Sequence, residues 1–232
     1  MINVARSVAP QVDRLNLILN EYTNPIPELV ELENVHQIIP DQDLKDTGKF
    51  LPDIGQSEFV FLIDDDLIYP KDYVSDTISH LKDLGHGIVV GYHGSLFYRR
   101  PPLRISRRAL RKWWEFSPKR IADNRKVLHF SHAIEDRLVV DQLGTGTVAL
   151  HATQYPEFDF MRTSKRFVDV RFARWCFQNN WRQVILPRPE QWIGEAKFPE
   201  TIFRGFTKSH DQEVAAEIRS FARKASGLGK PV

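Results

Sequence analysis

The sequence predicts an α/β fold in one domain, with a mostly parallel central sheet flanked by helices, and three observations carry that expectation. Phe59-Val60-Phe61-Leu62-Ile63 is an uninterrupted apolar run of strand length, the pattern of a strand buried on both faces beneath helices. An amphipathic segment follows, Tyr73 to Leu84, with Val74, Ile78, Leu81 and Leu84 at helical spacing, and then a second apolar run, Ile88 to Tyr92. Strand, helix and strand joined by short connections are the repeating unit of a parallel α/β sheet. The chain has 232 residues, of which 42% are hydrophobic and 27% charged. That suits one domain with a substantial core and argues against disorder.

The remaining elements follow in order. Val4 to Val12 reads as the tail of a helix and Arg14 to Asn20 as a strand, after which Pro25 and Pro27 open a loop. Val35 to Ile39 is a short strand, and the polar stretch from Asp41 leads into Gly48-Lys49-Phe50. Gly85 and Gly87 stop the helix that begins at Tyr73. Residues 98–130 form a basic and aromatic insertion entered through Pro101-Pro102. Val139 to Leu143 then leads into Gly144-Thr145-Gly146-Thr147 and the apolar Val148-Ala149-Leu150. A helix starts near Phe167 with Asp169 in its first turn, Trp181 to Leu186 is a last strand ended by Pro187 and Pro189, and Asp211 to Lys224 reads as a surface helix within a carboxy-terminal tail, 208–232. No internal repeat or low-complexity tract is evident.

Charge and cysteine content narrow the classes. Lys+Arg (32) nearly balances Asp+Glu (30), for a formal net charge of +2, so the total selects no partner. The distribution is uneven: Arg99, Arg100, Arg104, Arg107, Arg108, Arg111, Lys112, Lys119, Arg120, Arg125 and Lys126 interleave with Trp113, Trp114 and Phe116. Such a segment attracts an anionic partner, whether a lipid surface, a diphosphate or nucleic acid, or else is a solvated insertion whose tryptophans pack on the domain. No nucleic-acid motif accompanies it, and nucleic acid is not an expected partner. The single cysteine, Cys176, excludes an internal disulfide and a Cys-based zinc site and fits a reducing compartment. With no apolar run of spanning length and no signal-peptide pattern at the start, the expected place is the cytoplasm, with peripheral contact at the inner face of the membrane through the basic segment.

Three features carry chemistry. The strand ending at Ile63 runs directly into Asp64-Asp65-Asp66, at the sheet edge where open α/β folds bind ligands. Adjacent carboxylates repel, and a divalent ion relieves the conflict. Oxygen ligands suit Mg²⁺ or Mn²⁺, completed by the phosphates of a substrate. A solvated acidic turn ahead of Pro70 is the plainer alternative. Gly144, Thr145 and Gly146 allow backbone to approach a ligand and offer N–H and hydroxyl donors, although a hairpin turn uses the same residues. Asp169 is either a helix cap or a general base.

Taken in order, the acidic triplet, the Gly144-Thr145-Gly146 loop and Asp169 resemble the nucleotide-sugar-dependent glycosyltransferases of the GT-A (Rossmann-like) fold, closest to family 2-like bacterial enzymes of capsule or lipopolysaccharide synthesis. The likeness runs from about Pro10 to Trp192. It implies an inverting, metal-dependent transfer from a nucleotide-sugar donor to a glycan or lipid-linked acceptor. Asp64-Asp65-Asp66 looks like the DxD motif, which makes Asp66 and Asp64 the Mn²⁺ or Mg²⁺ ligands. Asp64, Asp65 and Lys49 would contact the nucleotide donor, Gly144, Thr145 and Gly146 would line the acceptor side, and Asp169 would be the catalytic base. His210 matches a carboxy-terminal histidine that completes the metal shell in some members, or is a surface histidine, while His93 and His151 are structural or simply near the site. Two departures stand out: Val168 precedes Asp169 where the family has Glu, and Met1 to Val12 reads as the first helix without the strand that precedes it in the family. A non-catalytic carbohydrate-binding or scaffolding protein derived from a transferase is therefore the alternative. A haloacid-dehalogenase-like phosphatase fits less well, because Ile68 stands at its Thr/Val position and strands precede the Asp pair.

Overall fold

The computed structural model describes residues 1–98, 118–195 and 212–232, and within them the chain is a mixed α/β domain. Helix α1 (Ile2–Val8) continues into a 3-10 turn, Ala9–Gln11, and turns its Val4, Ala5 and Val8 inward. Strand β1 (Leu15–Ile18) pairs in parallel with β2 (Val35–Ile38). A 3-10 turn, Lys45–Phe50, leads to β3 (Phe59–Ile63), and after the short β4 (Leu67–Ile68) comes α2 (Tyr73–Leu84). The strand and helix at Phe59–Ile63 and Tyr73–Leu84 carry the boundaries that their apolar patterns predict.

The main sheet has five strands in the order β3, β10 (Thr147–His151), β5 (Ile88–Gly91), β11 (Arg182–Ile185) and β8 (Leu138–Val140). Alternate residues of each strand enter different cores, as the two-residue side-chain period requires. Ile88 and Val90, Ala149 and Val184 pack with Tyr73, Val74 and Leu81 of α2. Val89, Val148, Leu150 and Ile185 pack with Phe172 and Cys176. Coverage of both faces explains the apolar runs Ile88–Val90 and Val148–Leu150.

The expected mostly parallel sheet is corrected by the pairings. β5 and β11 are parallel, whereas β3 with β10, β10 with β5 and β11 with β8 are antiparallel. An apolar run covered on both faces reads the same whichever way its neighbours run, so the sequence pattern carries no strand direction. β3 is also an edge strand, paired only with β10, and of its five residues only Leu62 is fully buried.

A second, three-stranded sheet joins β7 (Arg125–Leu128), β6 (Gly94–Phe97) and β9 (Gln142–Leu143). Phe97 pairs with Arg125, and the Tyr98 N–H donates to the Asn124 carbonyl at 2.9 Å. The described ends of the basic and aromatic insertion therefore meet at one closed ladder, with helix α3 (Pro118–Asp123) on the return side. Its arginines and tryptophans from Arg99 to Phe116 lie outside the described residues. A short β12 (Gly194–Glu195) pairs with β4.

After α4 (Phe158–Met161), helix α5 (Val168–Gln178) packs against α6 (Gln212–Phe221). The surface helix expected at the carboxy terminus is corrected here: Val214, Ala215, Ile218 and Phe221 are buried against Val170 and Ala173. Arg171, 7% exposed, donates from Nε to both carboxylate oxygens of Glu217, itself 3% exposed, and from Nη1 to Phe160 O and Thr163 Oγ1. These contacts anchor the first turns of α5, which begin with Val168 and Asp169. Among the described residues no helix is long and apolar enough to cross a membrane.

Candidate active site

Four separated segments meet at the carboxyl end of β3. The first is β3 itself, whose apolar core fixes Asp64 at the edge. The Asp64 N–H donates to Tyr69 Oη at 2.8 Å, and that hydroxyl donates to the Gly146 carbonyl at 2.6 Å. Tyr69, 3% exposed, thus pins the acidic turn to the loop between β9 and β10. Gly146 allows the close approach of Asp64, because a Cβ there would collide with Asp64 Oδ2 and push the carboxyl aside. Gly144 meets a similar demand: a Cβ would lie 2.9 Å from His93 Cδ2, and its N–H donates to the His93 carbonyl at 2.9 Å.

The second segment is the Lys45–Phe50 turn. Lys49 places its Nζ on Asp64 Oδ1 and within 3.4 Å of Thr145 Oγ1 and 3.5 Å of the Thr145 carbonyl. Its side chain is 17% exposed, and Tyr155 Oη donates to its carbonyl at 3.1 Å. Burial lowers the lysine pKa, but the charges of Asp64, Asp169 and Asp46 outweigh it and raise the value, so the ammonium is fully charged. Asp46 follows from the same turn, three residues earlier and hence on the same face of a 3-10 turn. Its carboxylate accepts the Arg166 N–H at 2.7 Å. Burial and then the Asp169 charge push the Asp46 pKa up, while the Arg166 and Val168 amides and Lys49 oppose that rise.

The third and fourth segments are the Gly144–Gly146 loop and the first turn of α5. Thr145, 1% exposed, donates its N–H to Asp169 Oδ1 at 2.8 Å and its hydroxyl to the same oxygen at 2.6 Å. Both of the Thr145 donors expected for a ligand are thereby committed to Asp169, and the loop acts by holding that carboxylate. The cap reading of Asp169 is also corrected: the N-cap residue of α5 is Phe167, which makes no side-chain cap bond, and the Asp169 carboxylate reaches across to the loop. Among the described residues, none donates a hydrogen bond to Asp169 Oδ2.

Asp66 is half-buried, and its pKa is raised by burial first and then by the charges of Asp64 and Asp65; Lys49 offsets part of this. Asp65 is exposed and lies on the rim of a cleft of about 740 Å³. Met1, Ile2, Val4, Tyr22, Ile26 and Ile68 supply much of its wall. His93 stands beside the loop, and burial together with the neighbouring His129 pushes its imidazole down to about 3, so it is a neutral wall. His151 is at the far end of the sheet, paired with Phe59 and stacked on His86 at 4.3 Å. His210 lies outside the described residues.

The site thus brings together Lys49, Asp64, Asp66, Thr145, Gly146 and Asp169 and adds Asp46, Tyr69 and His93. The i, i+3 spacing of Asp46 and Lys49 was a readable signal; the Tyr69 staple had none, because it depends on a contact across 77 positions.

Asp64 and Asp66 are oxygen donors that the acidic turn has to offer an ion. Among the described residues no group of three or more His, Cys, Asp or Glu stands ready to hold a metal. Mg²⁺ and Mn²⁺ are commonly bound by one or two carboxylates and finished by phosphate oxygens, which Asp64 and Asp66 suit. Comparison with protein-family models and with curated protein sequences finds no match.

Gly146→Ala tests the close approach directly. The added methyl must move the Asp64 carboxyl, and at this half-exposed side chain the cost is expected below the ~1–3 kcal/mol of overpacking a closed core. Chemical denaturation should show that loss, and a variant as stable as the wild type would contradict the packing of Asp64 on Gly146.

Proposed function

We propose that the protein is a metal-dependent glycosyltransferase of GT-A type that moves a sugar from a nucleotide-sugar donor to a hydroxyl of a glycan or lipid-linked glycan, with inversion, in surface polysaccharide synthesis. The observation that carries this reading is the convergence of Asp64, Lys49, Thr145 and Asp169 from four segments on one sheet edge. The shared direction of β3, β5 and β11, with β10 reversed between β3 and β5, supports the GT-A comparison at the level of the sheet. The cleft beside Asp65 has the size of a small-molecule pocket and takes the nucleoside.

The chain's own residues divide the work. Asp66 and Asp64 would hold Mn²⁺ or Mg²⁺, which neutralises charge on the departing nucleoside diphosphate. Lys49 supplies a fixed positive charge beside the same phosphates. Asp169, oriented through Oδ1 by Thr145, accepts the acceptor proton on its other oxygen as the hydroxyl attacks. Gly144 and Gly146 keep the loop close enough for both carboxylates to face one substrate. A single displacement inverts the anomeric centre and requires no covalent nucleophile.

The test is thermal melting of the purified chain with UDP, GDP, CDP or dTDP, each with and without Mn²⁺. A ligand at 100 times its Kd stabilises by about 2.7 kcal/mol, or about 5–11 °C for a domain of this size. One nucleotide should shift the transition, and only with the metal. Absence of a shift with every pair would overturn the reading.

A further inference from the structure

Building on the transferase reading, we propose that the Lys49 ammonium is the resident counter-ion of Asp64 and keeps a divalent metal out until a diphosphate arrives, so that metal and diphosphate bind only together. The geometry places Nζ on Asp64 Oδ1 and near both oxygens of Thr145, with the other Asp64 oxygen pressed against Gly146. The Asp64 side chain is 44% exposed, so what stands between it and a metal is the ammonium held on Oδ1 rather than burial. Asp66 is half-buried beside Asp64, and a carboxylate pair that already holds an ammonium is a poor site for a dication, because the two cations repel at short range.

A diphosphate changes both terms. It brings negative charge that outweighs the ammonium, and it offers Lys49 another anion to contact. The lysine stem is flexible and its ammonium is a compact point charge with three donors, so Nζ can pass from Asp64 to a phosphate oxygen while its backbone stays held by Tyr155. Asp64 then becomes available to the metal. Coupling of this kind is reciprocal: the diphosphate raises metal affinity by the factor by which the metal raises diphosphate affinity.

The consequence runs against intuition, since deleting a positive charge from the site should create a metal site that works without substrate. Mn²⁺ binding is measured by loss of the free-ion EPR signal for the wild type, Lys49→Met and Lys49→Met with Asp66→Asn, with Mn²⁺ alone and with inorganic pyrophosphate. The wild type should bind Mn²⁺ alone weakly and gain about 5–150-fold with pyrophosphate, the usual range of such coupling. Lys49→Met should gain a similar factor for Mn²⁺ alone, and the double variant should lose it. A folded Lys49→Met with no gain, or a wild type that binds Mn²⁺ alone as tightly as the variant, overturns the proposal.

Should Lys49→Met prove unfolded by circular dichroism, the lysine ammonium resonance of the wild type decides instead. It should stay in place on adding Mg²⁺ alone and move on adding Mg²⁺ with pyrophosphate; a shift with Mg²⁺ alone overturns the proposal. Failure of the nucleotide panel would overturn the transferase reading without touching a gain of Mn²⁺ binding in Lys49→Met.

Discussion

Asp66→Asn is expected to melt at a higher temperature than the wild type in the absence of ligand and to lose the nucleotide shift that requires Mn²⁺. The carboxylate of Asp66 is half-buried next to Asp64 and Asp65, and both burial and those charges disfavour its ionised form. Its pKa in the folded chain is raised above the unfolded value, so the folded state holds this proton more tightly. Ionised Asp66 therefore opposes folding above the raised pKa, and that opposition fades as pH falls through it. The stability advantage of the Asn variant should be full at neutral pH and vanish in acid, with about 2–4 °C gained for each kcal/mol relieved. Metal-dependent nucleotide binding by the wild type should weaken over the same fall in pH, because the ligand must be ionised. A residue whose removal strengthens the fold and abolishes binding is kept for the binding. If Asp66 merely sits in a solvated acidic turn, the two proteins should melt together and respond alike to nucleotide.

What the sequence disclosed follows from how local each feature is. The run Phe59–Ile63 and the helix Tyr73–Leu84 are legible because burial on one or both faces writes itself into consecutive residues. The Asp64–Asp66 triplet is legible because three adjacent carboxylates conflict within the chain itself, before any tertiary contact. The pairing of Phe59–Ile63 with Thr147–His151 is not, since strands about ninety positions apart carry no mark of their partner or direction. The buried face of Gln212–Phe221 reads in the sequence as a surface helix, because Glu213, Glu217 and Arg219 interrupt it. Glu217 is buried where Arg171 and Arg174 compensate it from another helix. For Asp169, the residue was legible and its contact was not: a first-turn aspartate signals a cap, and only the folded chain brings Thr145 beneath it.

That contact sets the expectation for Asp169→Asn. The amide oxygen of Asn can accept both the N–H and the hydroxyl of Thr145, so the loop should keep its position and donor binding should keep its metal-dependent shift. The variant loses the basicity of the carboxylate, concentrated on the oxygen that Thr145 leaves free. Loss of a general base lowers rate by about 10²–10⁴-fold, and sugar transfer from the donor identified by melting should fall by that factor, whereas its apparent donor affinity should hold. Thr145→Val supplies the control, because it keeps the N–H bond to Asp169 and removes only the hydroxyl. Transfer should fall less than in Asp169→Asn, since the base remains and only its orientation loosens. If Asp169→Asn abolishes nucleotide binding together with transfer, its carboxylate acts by holding the loop in place, and the proton must leave the acceptor by another route. Asp46, which shares the Lys49 turn and feels the Asp169 charge, is the carboxylate to replace next.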